Sequence, residues 1–259
     1  MLIFFDIDGT LIDEEKKEMS DSTRKAIEKA RRNGHICVIN TGRTWKLVNG
    51  IITGFTEFDG YILGCGTMVN FNDRTLLHET FSSEMSKRIV EALRKYQVDA
   101  VLEGRDNNFH DDLDKIHTKL FYDFITRFHE KNYGSFEESV GNFDKFYAYV
   151  EDRTHMEAFR AEFEEELSFV DREEGFFEIM PKGFSKATGM RFLAEKLHVP
   201  MKDTVAVGDS SNDIPMLECA HTSIAMGNAC KAVLDMADHV TAKVEEDGIQ
   251  KALEWLGVI

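Results

Sequence analysis

The chain opens Met1-Leu2-Ile3-Phe4-Phe5-Asp6-Ile7-Asp8-Gly9-Thr10, four apolar residues without a break followed by two aspartates flanking one isoleucine. An unbroken apolar run of this length suits a strand buried on both faces of a parallel sheet. Residues i and i+2 of an extended chain share a face, so Asp6 and Asp8 are expected to project together where the strand ends. Gly9 allows a sharp exit and a close approach of a ligand to the backbone. Open α/β sheets bind ligands at the carboxyl ends of their strands, so chemistry is expected here. Two carboxylates about 4 Å apart repel by roughly 4 kcal/mol at an effective dielectric of ~20. Such a pair calls for a cation or a shared proton.

Moving outward, the same pattern recurs. Ser20-Asp21-Ser22-Thr23 supplies N-cap residues for a helix that stops at Asn33-Gly34. A second apolar strand, 35–40, leads into Thr41-Gly42-Arg43, and a third strand is expected near 61–63. Strand, helix, strand, short helix, strand is the alternation of a parallel, helix-covered sheet. The middle of the chain differs. Helices are expected over 82–96, 113–133 and 154–167, with strands at 99–102, 145–150, 169–171 and 176–180. The aromatic alternation of 145–150 predicts a strand with one face exposed. This reads as an antiparallel sheet with helices on one side, inserted into the first domain. From Ser185 the first pattern resumes, with a helix over 185–197, a strand at 204–207, the turn Gly208-Asp209-Ser210-Ser211-Asn212-Asp213, a strand at 223–225 and a last helix over 248–255.

Composition narrows the partners. The 259 residues carry a net charge of −16, which argues against nucleic acid or an anionic membrane as the main partner. Most of the excess acid lies in 82–182, with 24 acidic and 14 basic residues. The run around Glu162, Glu164, Glu165 and Glu166 reads as a solvated helix face. No apolar stretch approaches the ~20 residues of a membrane span, and the first apolar run lacks a basic leader, so no secretory signal is expected. Cys37, Cys65, Cys219 and Cys230 are widely spaced, which disfavours a zinc site and suits reduced, mostly buried thiols in a cytoplasmic protein.

Four segments thus stand at strand ends or helix starts: Asp6-Ile7-Asp8-Gly9-Thr10, Asn40-Thr41-Gly42-Arg43, Pro181-Lys182-Gly183-Phe184-Ser185-Lys186 and Gly208-Asp209-Ser210-Ser211-Asn212-Asp213. In this order and spacing they resemble the signature of the haloacid dehalogenase-like phosphatase superfamily. The whole chain is similar to its Cof-type branch, which carries a large α/β cap. The resemblance implies a Rossmann-like parallel-sheet core made of 1–81 and 183–259, with an α+β cap of 82–182 between the second and third segments. It also implies Mg2+-dependent hydrolysis of small phosphorylated metabolites, sugar phosphates foremost, through an aspartyl-phosphate. On this resemblance Asp6 is the nucleophile and Asp8 the acid that protonates the leaving oxygen, then the base for water. Mg2+ is held by Asp6, the backbone carbonyl of Asp8 and Asp209, with Asp213 on the ion or just behind it. Thr41, the backbone of Gly42, Lys186 and Asn212 bind the phosphoryl group, and Arg43 reaches substrate or braces the cap.

Plainer roles stand beside these: Lys186 as an exposed helix-start lysine, Thr41 as a helix cap, Asp213 as an acid favouring a helix N-terminus. Gly64-Cys65-Gly66 is no dinucleotide fingerprint, and Cys65 stands where the family often has asparagine. The acidic stretch 106–114 lacks the glycine and terminal glutamate of an EF-hand. His110, His117 and His129 have no zinc-protease spacing and read as core or surface residues. Arg105, His110, Lys145 and Tyr147 are candidate selectivity residues in the insertion. Among other activities, a phosphomannomutase-like mutase shares this core and cap layout but has a longer, more glycine-rich fourth loop. A dehalogenase has no need of Asp8, and a membrane pump needs spans. A non-catalytic phosphosugar-binding protein has no use for a nucleophile beside an acid.

Overall fold

The computed structural model describes residues 1–13, 16–50, 52–128 and 133–259. In chain order the strands are β1 (Leu2–Phe5), β2 (Ile36–Asn40), β3 (Gly60–Leu63), β4 (Met68–Phe71), β5 (Arg74–His78), β6 (Asp99–Glu103) and β7 (Asn108–His110). They continue as β8 (Gly134–Ser135), β9 (Lys145–Tyr149), β10 (Leu167–Asp171), β11 (Phe176–Pro181), β12 (Thr204–Gly208), β13 (Thr222–Ala225) and β14 (His239–Val240). The chain divides into two compact units. One comprises Met1–Arg43, Leu47–His78 and Ser185–Ile259, the other Thr44–Lys46 and Glu79–Phe184.

The first unit is built on an eight-stranded sheet, β14-β13-β12-β1-β2-β3-β4-β5. Strands from β14 to β3 run parallel, and β4 and β5 add an antiparallel hairpin at one edge. Leu2, Ile3, Phe4 and Phe5 are all completely buried, as a central strand covered by helices on both faces requires. Leu2 and Phe4 pack with Val38, Ile62, Met190, Leu193 and Met216. The helix Asp21–Arg32 is capped by Ser20, whose side chain accepts from the Thr23 N–H, and the helix Lys186–Lys196 by a reciprocal Ser185–Thr188 box. The hairpin is absent from the sequence reading because β5 lies largely exposed at the sheet edge, where little apolar patterning is needed.

The second unit carries a six-stranded sheet, β10-β11-β9-β6-β7-β8, antiparallel except for β7 with β8. Two expectations need correction here. β9 is buried along most of its length, not exposed on one face. Helices also cover both sides of the sheet. Ala100, Leu102, Phe146 and Ala148 pack with residues of the helices Ser83–Lys95 and Arg153–Phe163, whereas Val101 and Tyr149 pack with Phe121 and Ile125 of the helix Lys119–Phe128. Alternate positions of β6 and β9 are apolar on both faces, so both must be buried. The helix expected over 113–133 is a single 3-10 turn at Leu113–Lys115 and then Lys119–Phe128. Between the two, the backbone N–H groups of His117 and Thr118 donate to the Asp99 carboxylate. The remainder of that expected helix at 129–132, with His129, lies outside the described residues.

No helix among the described residues is long and apolar enough to cross a membrane. None of the four cysteines is joined in a disulfide among the described residues, and Cys37 and Cys65 are buried while Cys230 is exposed. Phe4→Ala in the middle of β1 is expected to lower the stability of the first unit by about 3–5 kcal/mol, and Leu76→Ala on edge strand β5 by under about 1 kcal/mol. Urea unfolding of the two variants measures this. Equal losses would contradict the assignment of β1 as the centre of the core.

Candidate active site

The parallel register sets β1 between β12 and β2. Residues that immediately follow these three strands, Asp6, Asp209 and Thr41, therefore emerge side by side at one edge of the sheet. Asp6 is still tied to the sheet, its N–H donating to the Val207 carbonyl at 3.1 Å, and the Thr41 N–H donates to the Ile62 carbonyl at 2.9 Å. Lys186 is the first residue of the helix capped by Ser185, and Asp213 closes the turn that follows β12.

Lys186 is buried, and its Nζ donates to Asp6 Oδ1 at 2.7 Å and Asp213 Oδ1 at 2.6 Å. The other oxygen of Asp213 accepts from the backbone N–H groups of Asp209 at 2.9 Å and Ser210 at 3.0 Å. Both oxygens of Asp213 are thus engaged, which makes it a fixed counter-charge for Lys186. Asp209 Oδ1 accepts from the Thr10 hydroxyl at 2.8 Å. Burial, and after it the Asp213 carboxylate, push the Asp6 carboxyl up to about 8 against the pull of Lys186. Burial alone would lower the Lys186 ammonium, but Asp213 and Asp6 together hold it above the ordinary lysine range.

β1 ends at Phe5, and the chain then folds into a tight turn in which the Leu11 and Ile12 N–H groups both donate to the Ile7 carbonyl. Asp8 accepts from Arg43 through both oxygens, at 2.8 Å from Nε and 2.5 Å from Nη2. Gly9 has φ +73°, and a Cβ there would come within 2.3 Å of Asp209 Oδ2, so this turn accepts only glycine. The Thr41 hydroxyl accepts from the Arg43 N–H at 3.2 Å, a turn contact that lies ahead of the helix Trp45–Val48 and does not cap it. Asn212 Oδ1 accepts from the Ser210 hydroxyl at 2.7 Å and faces Lys186 Nζ at 3.5 Å. Gly42 is half-buried beside them.

Sequence reasoning gave no role to Thr10, Ser210 or Asn228, although Thr10 orients Asp209 and the Asn228 amide holds the Gly9 carbonyl at 2.8 Å. Thr10 carried a signal: a buried hydroxyl directly after the Asp-x-Asp-Gly turn. Asn228 carried none, lying in a loop after β13 without a motif. Among the selectivity candidates of the second unit, Lys145 and Tyr147 both adjoin Glu103, and His110 and Tyr147 both pair with Val101 across the sheet. Arg105 is exposed beside Asp106, and His110 is buried with Nδ1 at 2.6 Å from the Asp111 carbonyl oxygen. Lys145 is buried between Glu103, at 2.9 Å, and Glu178. Tyr147 packs on Phe121 and Phe124, its phenol raised well above the usual range by burial and then by Glu103.

Asp6, Asp209 and Asp213 each place a carboxylate oxygen within 4.8 Å of the others. When ionised, these three and Lys186 leave two uncompensated negative charges in a buried site. The donor set is all hard oxygen, which fits a divalent cation of the Mg2+ type and not a thiolate-seeking metal. Asp6 and Asp209 could hold it, with Asp213 behind them. Lys186→Met would strand the carboxylates, and the metal-free variant is expected to lose about 3–5 kcal/mol near pH 8. Because protonation relieves stranded carboxylates, the loss should shrink toward pH 5. Urea unfolding at the two pH values measures it, and equal losses would contradict this charge balance.

A profile of the haloacid dehalogenase-like hydrolases matches residues 3–253. The chain is 30% identical to YkrA of Bacillus subtilis (strain 168), spanning 100% of this chain and 98% of that protein. It is 29% identical to the 5-amino-6-(5-phospho-D-ribitylamino)uracil phosphatase YcsE of the same organism, over 98% of this chain and 95% of that one. Among solved structures, BT1666 of Bacteroides thetaiotaomicron, described among the phosphatases of this superfamily, superposes with a TM-score of 0.85 at 27% identity, covering 100% and 95% of the two chains. The subclass IIB sugar phosphatase BT4131 gives a TM-score of 0.83 at 27% identity, covering 100% and 99%. With a profile match over nearly its full length, a parallel-sheet core shared with these phosphatases and a buried lysine set among three aspartates at the strand ends, the chain belongs to the haloacid dehalogenase-like hydrolases, as a phosphatase of that family.

Proposed function

We propose that the protein hydrolyses small phosphorylated metabolites, sugar or sugar-alcohol phosphates foremost, through a phosphoryl group carried on Asp6 and with Mg2+ as cofactor. The observation that carries this reading is the buried contact of Lys186 with Asp6 and Asp213, with Asp209 alongside. Lys186 neutralises part of the charge that would otherwise repel a phosphate from the Asp6 carboxylate. Asp6 attacks phosphorus in line, the bond from phosphorus to the ester oxygen breaks, and its electron pair leaves with that oxygen. Asp8 supplies the proton to the leaving oxygen, then takes one from the water that attacks phosphorus and frees Asp6. With both oxygens accepting from Arg43, Asp8 cannot donate without giving up one of those bonds, so turnover requires that pair to loosen. Thr41, the Gly42 N–H and Asn212 are assigned to the phosphoryl oxygens. A bound Mg2+ would supply charge that draws the phosphate in and balances the carboxylates.

The sugar-phosphate class is supported by two likenesses: the substrate in the name of YcsE is a phosphorylated ribityl compound, and BT4131 is described as a sugar phosphatase. We assign the choice of leaving group to the insertion 82–182. Phosphate release from a panel of sugar phosphates, nucleotides, FMN and pyridoxal phosphate, with and without Mg2+, tests the reading. Asp6→Asn should reduce turnover by at least about 1,000-fold and Asp8→Asn by about 100- to 10,000-fold. Metal-independent release, or release surviving Asp6→Asn, would overturn it.

The Asp6 carboxyl at about 8 gives a second test. A carboxyl raised above its unfolded value holds its proton more tightly in the folded state, so metal-free stability falls as pH rises from about 4 to 8. Mg2+ competes with that proton. The rise in Tm caused by Mg2+ should therefore be larger near pH 9 than near pH 6, and an equal rise at both would contradict Asp6 as a ligand.

A further inference from the structure

β2 reads Ile36-Cys37-Val38-Ile39-Asn40, a buried strand whose last residue alone carries an amide. Asn40 is completely buried. Its Nδ2 donates to the backbone carbonyl of Lys186 at 3.0 Å, and its Oδ1 has no hydrogen-bond partner among the described residues. The opposite amide orientation would set two oxygens against each other, so the donor must face Lys186. Leaving a buried amide oxygen unpaired costs about 1–3 kcal/mol, and an alanine or leucine here would avoid that cost. Stability therefore does not account for this residue. What it touches is the backbone of the one residue whose ammonium bonds both Asp6 and Asp213.

We propose that Asn40 is a positioning residue for Lys186, pinning the first helical turn so that the ammonium meets Asp6. This rests on the phosphatase reading above for its effect on turnover. The lysine reaches its partners through a long side chain with four rotatable bonds, so its placement depends on where its own backbone is held. From one side the turn Gly64–Gly66 packs directly on the helix start, where a Cβ on Gly66 would come within 2.4 Å of the Ser185 carbonyl oxygen. That turn is itself bonded to the segment after β2, from the Cys65 N–H to the Thr41 carbonyl at 3.1 Å and from the Gly64 N–H to the Arg43 carbonyl at 2.9 Å. Asn40 ties the helix to the strand that precedes this segment. The phosphoryl-binding residues after β2 and the lysine are thereby referenced to one point of the sheet. A misplacement of about 1 Å in such a constellation costs on the order of 100-fold in rate.

Asn40→Leu keeps the volume and removes the donor, and Asn40→Ala serves if the leucine variant fails to fold. The expected result is a fall in kcat of about 10- to 100-fold, KM within about twofold of wild type, and Tm unchanged or higher. Backbone hydrogen exchange should quicken in the first turn of the helix Lys186–Lys196 and not elsewhere in its unit. Unchanged kcat in a folded variant, or a kcat loss matched by a lower Tm and faster exchange throughout the unit, would overturn the proposal. Should the wild-type protein release no phosphate from any compound, the phosphatase reading falls instead, and local exchange around Lys186 alone decides the role of Asn40.

Discussion

Three aspartates and one lysine share a buried site at the end of a parallel sheet, and the surrounding structure is arranged to tolerate them. Ionised carboxylates taken out of water are costly unless paired and hydrogen-bonded. Here Lys186 pairs with two of them, Asp213 is further held by two backbone N–H groups, and Asp209 by the Thr10 hydroxyl. Even so Asp6 is left with its carboxyl far above the usual range. Burial and the Asp213 carboxylate favour its protonated form, and a cation bound beside it would favour the ionised one.

The fold makes this arrangement possible by placing the ends of β1, β2 and β12 next to one another, although the residues come from opposite ends of the chain. Each segment after a strand turns tightly and is bonded back to the sheet, so the side chains stand on rigid backbone. Asp8 differs from the others. Its partner is Arg43, its side chain is about one-third exposed at 34%, and it sits in the turn beyond the strand. Across the single intervening Ile7, Asp6 is thus fixed by burial whereas Asp8 is partly exposed and paired with Arg43, which suits the proposed roles of nucleophile and proton carrier.

Much of the core was legible because parallel strands buried on both faces leave continuous apolar runs, as at 2–5 and 204–207, and because helix caps such as Ser20 and Ser185 are local signals. Edge strand β5 was not, since an exposed edge needs no such run. The double-sided packing of β6 and β9 was hidden because aromatic alternation looks the same whether the second face meets solvent or another helix. In the site, spacing pointed to Asp6, Lys186, Asp209 and Asp213, and the structure brings these four together. Spacing could not tell that Asp8 pairs with Arg43, because that contact joins side chains 35 residues apart in the chain. Nor could it mark Thr10, Asn40 or Asn228, whose contributions lie in which backbone or side-chain group each one faces.

Asp6 is the residue proposed to take the phosphoryl group, on a carboxylate oxygen. Rapid acid quench of the protein during turnover of its best phosphomonoester in Mg2+, followed by peptide mass spectrometry, examines that directly. A phosphoryl group on the peptide carrying Asp6, accumulating further in Asp8→Asn and missing in Asp6→Asn, is the predicted result. Steady phosphate release with the phosphoryl group on another residue, or with none on the protein at any time point, would contradict it.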